Sequence, residues 1–404
     1  MHAPPPAATA AGSERPGWEV ADIVRAYGGA YRRTHTVLPA QMRALQAIEQ
    51  CRTAALGGHV EGCDACGARR VAYNSCRNRN CPKCQASARA KWVAAQQALL
   101  LPIEYFHIVF TLPHTLNALV RVNPRRLYTL LFRAAAATLR CFAQDPRHLG
   151  AEIGLTAVLH TWGQNLSQHV HLHCVVTGGG LSPDGQRWVS AQHGFLFPVR
   201  ALSKVFRGKF LAGLRKLRAR GALRFAGQSA ALADDQAWAH WLRTLHSTQW
   251  VVYAKQPFGG PECVLKYLGR YTHRVAIANQ RIVSIDDGVV CFRWKDYAHH
   301  NQAKVMSLPA EEFLRRFLLH VVPSGFVRIR HFGLLANRHR AAKLARCRML
   351  LEPQAQGHID TDGGLGASCD PSPSTTIDPP RCSVCGAGPL RIIEILAPRP
   401  GVPP

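Results

Sequence analysis

Paired cysteines mark the first quarter of the chain as a metal-binding region. Cys63 and Cys66 form one Cys-x2-Cys pair, and Cys81 and Cys84 form a second pair, with fourteen residues between the two pairs. Two tight turns at this separation can bring four thiolates tetrahedrally around one Zn²⁺. The spacing therefore predicts a structural zinc site made of these four cysteines. Three other residues of the same stretch stay open as second-choice ligands: Cys51, His59 and Cys76.

A second cluster of ligand-type residues lies in the run HVHLHCVV, residues 169–176. Apolar residues alternate with His169, His171 and His173, so on a strand the three imidazoles share one face. Imidazoles at positions i and i+2 stand about 6.5–7 Å apart at the backbone and can converge on one divalent cation. Such a site keeps open positions for a phosphate oxygen. The run predicts a catalytic metal site.

A pair of tyrosines follows about a hundred residues later. Tyr267 and Tyr271 are four residues apart and share one face of a predicted helix, in the segment ECVLKYLGRYTHR. A phenolate can attack a phosphodiester and form a phosphotyrosine. Because a free tyrosine has a pKa of about 10, this needs nearby cations, which Arg270 and Arg274 can supply. Packing is the alternative role for two tyrosines at this spacing.

The charge balance predicts a polyanionic partner. The 404 residues include 50 Lys and Arg against 24 Asp and Glu, which leaves a formal charge of 50 − 24 = +26. No apolar run approaches the ~18 residues that span a bilayer, and residues 1–17 lack the apolar core of a secretory signal. We therefore expect a cytoplasmic protein. The candidate DNA contacts are Arg77, Arg79, Arg270, Arg274, Arg328 and Arg330.

Strands and helices that could position these residues are visible in the hydrophobic pattern. Strands are predicted over 104–112, 155–162 and 169–177, and a hairpin over 282–294 around Asp287-Gly288. Helices are predicted over 86–101, 124–145 and 202–225, and the last of these is basic and amphipathic. Residues 328–348 form a second basic stretch, which we expect to bind DNA or to be a solvated helix.

Taken together, these segments resemble the transposases of the insertion-sequence-91 type, a rolling-circle branch of the HUH nuclease superfamily. The resemblance covers about residues 18–350. The matching segments are CRTAALGGHVEGCDACG, YNSCRNRNCPKCQ, YFHIVFTLP, TWGQNLSQHVHLHCVVTGGGLS, KYLGRYTHRVAIAN and VRIRHFGLLANRHR. Asn80 departs from the family pattern, in which His is expected, and this departure leaves the four-cysteine scheme intact.

The resemblance implies an α+β fold with an HUH-type central antiparallel sheet, flanking helices and a small zinc-ribbon-like domain before it. The His pair would lie on a middle strand, with the tyrosine helix across that face. The implied domains are a disordered tail (1–17), a zinc-binding DNA-contact domain (18–100), the catalytic domain (101–350) and a linker and tail (351–404). The tail's Cys382 and Cys385 are half a zinc site, with Cys347 or Cys369 as possible partners.

The resemblance also implies a bacterial protein associated with the nucleoid, and it implies the chemistry. Either His169-Val170-His171 or His171-Leu172-His173 fits the HUH pair, and the second is preferred because of the residues that follow it. His169 or Gln164 would supply a third ligand to Mg²⁺ or Mn²⁺. The family's nucleophiles carry over onto Tyr267 and Tyr271, which would nick and rejoin single-stranded DNA through a 5′-phosphotyrosine. The alternatives are a rolling-circle replication initiator or relaxase, and a non-enzymatic zinc-ribbon DNA-binding protein.

Overall fold

The computed structural model describes residues 17–255, 263–264, 269, 275–296, 299, 301–352 and 381–399, with the backbone alone at 86–88. The helices are α1 Val20–Thr34, α2 Pro39–Glu49, α3 Gln85–Gln97, α4 Asn117–Val122, α5 Pro124–Gln144, α6 Val199–Ala219, α7 Asp235–Ser247, α8 Ala310–Leu318 and α9 Arg340–Leu351. The strands are β1 Gly58–Cys63, β2 Arg69–Tyr73, β3 Tyr105–Thr111, β4 Glu152–Trp162, β5 Gln168–Leu181, β6 Trp188–Ser190, β7 Val252–Lys255, β8 Ile282–Asp286, β9 Val289–Asp296, β10 Gln302–Pro309, β11 Ile329–Gly333 and β12 Leu390–Leu396.

The largest sheet places the histidine strand in its middle. Its order is β11-β4-β5-β3-β7, with β6 paired to the far end of β5, and all pairs are antiparallel. β5 carries the alternating run, so Val170, Leu172 and Val176 point into the main core while the histidines point to the opposite face. The predicted α+β fold with a central antiparallel sheet is confirmed.

Helices α5 and α6 cover the apolar face of this sheet. Leu131 and Phe132 of α5, and Phe206 and Phe210 of α6, pack in one core with Phe110 of β3. Pro124 at the first turn of α5 agrees with the predicted helix start after Asn123. We call the opposite face, which carries the histidines of β3, β4 and β5, the imidazole face.

A second core joins the N-terminal helices to later parts of the chain. Ile23 of α1 and Leu45 of α2 pack in one cluster with Trp162 at the end of β4, Phe292 of β9 and Phe313 of α8. The small sheet β10-β9-β8 lies in this unit. The predicted boundary at residues 100–101 therefore does not separate two hydrophobic cores.

The third sheet unites distant parts of the sequence. β12 pairs with β1 from Gly58↔Leu396 to Cys63↔Leu390, and β2 covers the other edge of β1. The segment 381–399, predicted as a tail, thus continues the N-terminal hairpin.

Most predicted strands lie where the hydrophobic pattern places them, and one basic stretch differs. The β8–β9 hairpin turns at Asp287 and Gly288, both with positive φ (46° and 77°), as an Asp-Gly turn requires. Residues 328–348, by contrast, form β11 and then α9 rather than one helix. Residues 1–16 and 353–380 lie outside the described residues. Within the described chain, no helix has the length and apolar character that crossing a membrane requires.

Candidate functional site

Three imidazoles from two neighbouring strands converge on the imidazole face. His171 and His173 lie two residues apart on β5, and His160 of β4 is the cross-strand partner of His171. One ring nitrogen of each residue lies within 4.8 Å of the others. The Nε2 atoms of His171 and His173 are 3.1 Å apart. Two nitrogens bound to one metal at about 2.1 Å would be about 3.0 Å apart in octahedral and about 3.4 Å apart in tetrahedral geometry, so the spacing suits one shared ion.

Hydrogen bonds orient the two β5 imidazoles for this role. His171 donates its Nδ1–H to the carbonyl oxygen of His169 at 2.8 Å, which leaves the Nε2 lone pair for a metal. The Nδ1 of His173 lies 3.0 Å from Nε2 of His107 on β3. When His173 donates this bond, its Nε2 also becomes a ligand atom, as is usual for metal-bound histidines with an outer hydrogen-bond partner. The Trp162 ring stacks on His160 at a centroid distance of 4.4 Å.

The surroundings keep His107 uncharged. Burial, followed by the charge of Lys255, lowers the pKa of His107 to about 3. A neutral imidazole has one acceptor nitrogen, which is what a donating His173 requires. His107 therefore supports the ligand geometry from the third strand of the sheet.

The third member of the histidine cluster differs from the prediction. His169 lies outside the cluster. Its Nδ1 is instead 3.1 Å from Nε2 of His114. Gln164, the other candidate, lies in the β4–β5 turn. His160 takes the third place instead. His160 is not among the predicted ligands, because the cross-strand register that brings it opposite His171 is not visible in either strand alone.

The cysteines form two sites rather than the one predicted. The inner cysteine site consists of Cys51, Cys76, Cys81 and Cys84, and the outer cysteine site consists of Cys63, Cys66, Cys382 and Cys385. The predicted zinc site of Cys63, Cys66, Cys81 and Cys84 is therefore wrong as a grouping, since each Cys-x2-Cys pair finds other partners. His59 joins neither site and lies 3.3 Å from a carboxylate oxygen of Glu61. Cys347, proposed as a partner of the last pair, packs in a separate apolar cluster with Leu344.

The inner cysteine site lies between the N-terminal helices and the histidine strands. Cys51 and Cys81 are buried in the core that also contains Trp162 and Leu166. Sγ–Sγ distances of 3.5–3.6 Å join Cys51 to Cys81 and Cys84, and Cys76 to Cys84. Zn–S bonds of about 2.3 Å give a tetrahedral edge of about 3.8 Å, so the four thiols fit a zinc ion closely. A zinc ion here would brace the β4–β5 turn.

The predicted nucleophiles Tyr267 and Tyr271 lie outside the described residues, as do Arg270 and Arg274. Val264 and Gly269 of the same segment are described. Val264 is fully buried against Tyr105 and Val175, and Val175 follows His173 by two residues on the imidazole face. A Cβ on Gly269 would meet Val93 Cγ2 of α3 at 2.9 Å. This stretch thus packs at the imidazole face at Val264 and against α3 at Gly269.

The predicted DNA-contact arginines divide into exposed and packed ones. Arg77 is exposed, and Arg79 donates from Nη1 to the carbonyl of Phe326 at 2.6 Å. Arg328 lines a small cavity with Trp162 and His320, and burial lowers its pKa to about 10. Arg330 lies on the core side of β11 with its guanidinium 4.4 Å from the Phe132 ring centre. Both of these side chains are partly buried, so they are less available for DNA than Arg77 is.

A row of exposed cations lies on the helical side of the large sheet. The cleft between α5 and α6, here called the basic groove, is lined by Arg125, Arg126, Arg133, Lys216 and Arg220. Thr129, Leu130, Gly213 and Leu217 form its floor, and no carboxylate belongs to its described lining. The basic side of α6 is predicted from the sequence, whereas the arginines of α5 that complete the groove are not.

Two family models match the chain. One, described as "Transposase zinc-binding domain", matches residues 23–112, and the other, described as "Putative transposase", matches residues 154–343. The first contains all four cysteines of the inner cysteine site and one pair of the outer site. The second contains the three clustered histidines.

Known proteins agree with these matches. The chain is 54% identical over 382 residues to "Putative transposase y4qJ" of Sinorhizobium fredii (strain NBRC 101917 / NGR234), which covers 94% of this chain and 96% of the relative. It is 29% identical over 356 residues to "Transposase for insertion sequence element IS801" of Pseudomonas savastanoi pv. phaseolicola, with coverages of 83% and 80%. The conjugative relaxase TrwC in complex with oriT DNA overlaps 63% of this chain and 74% of its own at 14% identity, with a TM-score of 0.24 that carries no argument. The chain belongs to the insertion-sequence-91 type family of transposases, enzymes that act on DNA.

Proposed function

We propose that this transposase nicks and rejoins single-stranded DNA at the imidazole face during rolling-circle transposition. The observation that carries the proposal is the convergence of His160, His171 and His173 on one point, with two of the rings already oriented by hydrogen bonds. We assign these three residues as ligands of Mg²⁺ or Mn²⁺. Such an ion would polarise the scissile phosphate and offset its developing negative charge.

We propose Tyr267 or Tyr271 as the nucleophile. The phenolate oxygen forms a bond to phosphorus while the bond from phosphorus to the 3′-oxygen breaks, which yields a 5′-phosphotyrosine and, after protonation, a free 3′-OH. A 3′-OH can later attack the phosphotyrosine, restore a phosphodiester and release the tyrosine. Two tyrosines would permit linked cleavages on donor and target strands, because each covalent intermediate conserves the phosphodiester bond energy.

Two described positions near these tyrosines support the assignment. Val264 precedes Tyr267 by three residues and packs on Val175 of the imidazole face, and Gly269 lies between the two tyrosines in sequence. Another tyrosine, Tyr105, is a poor candidate nucleophile: it is buried, its hydroxyl accepts from the Leu101 amide, and burial raises its pKa to about 12. The tyrosine segment is therefore the better source of the attacking oxygen.

The cysteine region and the basic groove are the proposed DNA-contact surfaces. Arg77 is exposed beside the inner cysteine site, and the basic groove offers five further cations. Binding through such groups should weaken with salt by a log–log slope near −0.7 for each contact to a single-strand phosphate. We propose residues 18–100 together with 381–399 as the zinc-binding domain and 101–350 as the catalytic domain.

Covalent capture of DNA tests the proposal. The probes are single strands that copy the DNA on either side of the gene, labelled at the 3′ end in one set and at the 5′ end in the other. A 5′-phosphotyrosine transfers the 3′ label to the protein in an SDS-resistant adduct, while the 5′ label leaves on a fragment with a 3′-OH. Replacing both Tyr267 and Tyr271 by Phe should abolish the adduct and leave DNA binding largely intact.

A matched tyrosine gives the control. Tyr253 on β7 is exposed and belongs to the imidazole face, opposite Val109 of β3. Tyr253→Phe should leave the adduct unchanged. An adduct that persists in the double variant would reject the tyrosine assignment. Cleavage in metal-free buffer, or normal cleavage by His171→Ala, would reject the metal role of the histidines. Complete absence of cleavage by the wild-type protein would favour a non-enzymatic DNA-binding protein.

A further inference from the structure

The outer cysteine site brings together residues more than 300 positions apart. Sγ of Cys63 lies 3.7 Å from Sγ of Cys385, and Sγ of Cys66 lies 3.7 Å from Sγ of Cys382. The edge of a zinc tetrathiolate is about 3.8 Å, whereas the sulfurs of a disulfide are about 2.05 Å apart. The spacing is that of four thiolates around one ion.

Both halves of the site have the same backbone turn. The amide of Gly67 donates to the carbonyl of Cys63 at 2.9 Å, and the amide of Gly386 donates to that of Cys382 at 2.8 Å. Each glycine has a positive φ, 71° and 70°, at the fourth position after the first cysteine of its pair. Two matching turns facing each other are what a four-cysteine zinc site is built from.

A glycine outside the four cysteines, Gly388, also allows the two halves of the site to approach closely. A Cβ on Gly388 would lie 2.8 Å from Sγ of Cys63 and 3.0 Å from Cβ of Ala65. Glycine is therefore the residue that allows segment 381–399 to close over the first pair. The contact with Ala65 does not involve any of the four sulfur atoms.

Strand β12 has little apolar burial to hold it in place. Its five central residues, 391–395, are all exposed, and Ile395 retains 75% of its accessible surface. Backbone hydrogen bonds to β1 are then its main described attachment besides the cysteines. A sheet of three short strands needs a buried apolar face to be stable on its own in water, and β12 contributes little to one.

We propose that Cys63, Cys66, Cys382 and Cys385 bind a second Zn²⁺, and that this ion ties segment 381–399 to the β1–β2 hairpin. The chain would hold two zinc ions in separate sites: the inner cysteine site within a hydrophobic core, and the outer site at the surface. Binding of the second ion would close the chain between residues 66 and 382 and keep the β1 edge paired. The inference is independent of the strand-transfer chemistry.

Zinc content of the full-length protein tests the stoichiometry. Every protein compared carries His171→Ala and His173→Ala, so that the imidazole cluster cannot bind a third zinc ion, and wild type here means unchanged at the cysteines. The protein is saturated with Zn²⁺ under reducing conditions, freed of unbound metal and analysed for zinc per chain. Wild type should hold two ions, and the variant with both Cys382→Ser and Cys385→Ser should hold one. Cys141→Ser, at an exposed thiol outside both sites, is the matched control and should hold two. One ion in wild type, or two in the double variant, would overturn the proposal.

A second variant leaves every thiol in place. Gly388→Val puts a side chain where Cys63 Sγ and Ala65 lie, so it should also lower the content from two ions to one. Retention of two ions would show that the two halves need not close as described. If mapping of cysteines in the untreated protein finds Cys63–Cys385 or Cys66–Cys382 disulfides and no second zinc, the site is a redox crosslink and the proposal fails.

Hydrogen exchange tests the tie between the segments. In the double variant the amides of β12 should exchange at least tenfold faster than in wild type, because β12 separates from β1. The amides of β5 in the central sheet serve as the internal reference and should keep their wild-type protection, which shows that the variant is folded. Unchanged protection of β12 would mean that the metal does not hold the strand.

Discussion

His173 occupies a central position among the imidazoles of the large sheet. Its Nε2 lies 3.1 Å from Nε2 of His171, and its Nδ1 lies 3.0 Å from His107. His171 is in turn held by the carbonyl of His169. Each of these two rings therefore has one nitrogen held by the protein and one directed at the common point, so two of the three proposed ligands are oriented before any ion binds.

His107 should act as a positioning residue for this site. His107→Leu removes the acceptor for His173 Nδ1–H, and we expect Mn²⁺ to bind about 10- to 100-fold more weakly, the usual effect of losing an outer-sphere partner. His107→Gln retains an acceptor oxygen and should restore most of the affinity. Mn²⁺ titration calorimetry, with the cysteine sites saturated by Zn²⁺, measures both.

His331→Leu is the control for this comparison. His331 belongs to the imidazole face but hydrogen-bonds to Thr156 and lies outside the metal cluster. Its loss should leave Mn²⁺ affinity near that of wild type. Wild-type affinity in His107→Leu would contradict the positioning role.

His320 should make stability depend on pH. It is fully buried, donates Nε2–H to the Leu166 carbonyl and accepts from Thr161, and burial lowers its pKa from 6.5 to about 4. Between pH 4 and 6.5 the unfolded state binds more protons than the folded state, so this contribution is complete above pH 6.5 and is lost as pH falls toward 4. Near pH 4.5 the loss is about 2 kcal/mol.

His320→Gln tests the pH effect. Glutamine can make both hydrogen bonds but does not titrate, so the decline of the unfolding free energy from pH 6.5 to 4.5 should be shallower by about 2 kcal/mol. Denaturant unfolding at a series of pH values supplies the measurement. Parallel pH profiles for the two proteins would show that His320 is not the responsible group.

At the scale of elements, helices α5 and α6 pack on the apolar face of the large sheet and present the basic groove on their outer surface. Phe132 and Phe206 anchor the helices in the main core, while Arg126 and Lys216 line the groove between them. Since the core lies between groove and histidines, one DNA segment in the groove would not compete with a strand at the imidazole face. The arrangement suits a protein that handles two DNA segments.

Charge reversal in the basic groove tests this arrangement. Arg126→Glu combined with Lys216→Glu should weaken DNA binding and reduce the magnitude of the salt slope by about 0.7–0.9 for each lost phosphate contact. Adduct formation at saturating DNA should persist. Arg147→Glu alters an exposed arginine outside the groove that pairs with Asp145, and it should change the slope little. Fluorescence anisotropy over a salt series measures the slope for each variant. Equal slopes for the double variant and Arg147→Glu would contradict a role of the groove in DNA binding.

At the scale of the whole molecule, the inner cysteine site belongs to the core that connects the N-terminal helices with the histidine strands. Cys51 and Cys81 are at most 1% exposed, whereas Cys66 and Cys385 of the outer site are exposed. Metal that binds only the folded state adds its binding free energy to the stability of whatever it holds. The inner site should therefore stabilise the entire protein, and the outer site only its own sheet.

Two serine variants separate these effects. Cys81→Ser should lower the melting temperature of the central sheet by more than about 5 °C, since a loss of several kcal/mol is expected in a protein of this size. Cys66→Ser should leave that transition nearly unchanged. The melting temperature of the central sheet is measured from hydrogen exchange of the β5 amides at increasing temperature, and this value is compared between the two variants. Equal effects would show that the sites do not differ in their coupling to the core.

The sequence by itself determined the properties that depend on neighbours along the chain. Strand alternation placed His171 and His173 on one face, and Asp287-Gly288 specified a hairpin, because side-chain direction and turn conformation are local properties. The family segments, taken together, predicted the transposase family and the α+β fold, and both are confirmed. The tyrosine helix stays a prediction, because Tyr267 and Tyr271 lie outside the described residues.

Only the tertiary structure decided which residues share a site. Nothing in the run containing His160 indicates that it faces His171, since that depends on the register between β4 and β5. The three Cys-x2-Cys pairs are chemically alike, and their spacing favoured the two nearest in sequence. The fold instead joins Cys63 to Cys385 through the pairing of β1 with β12. These ligand sets depend on which distant segments pack together, and the local sequence of each segment does not predict that packing.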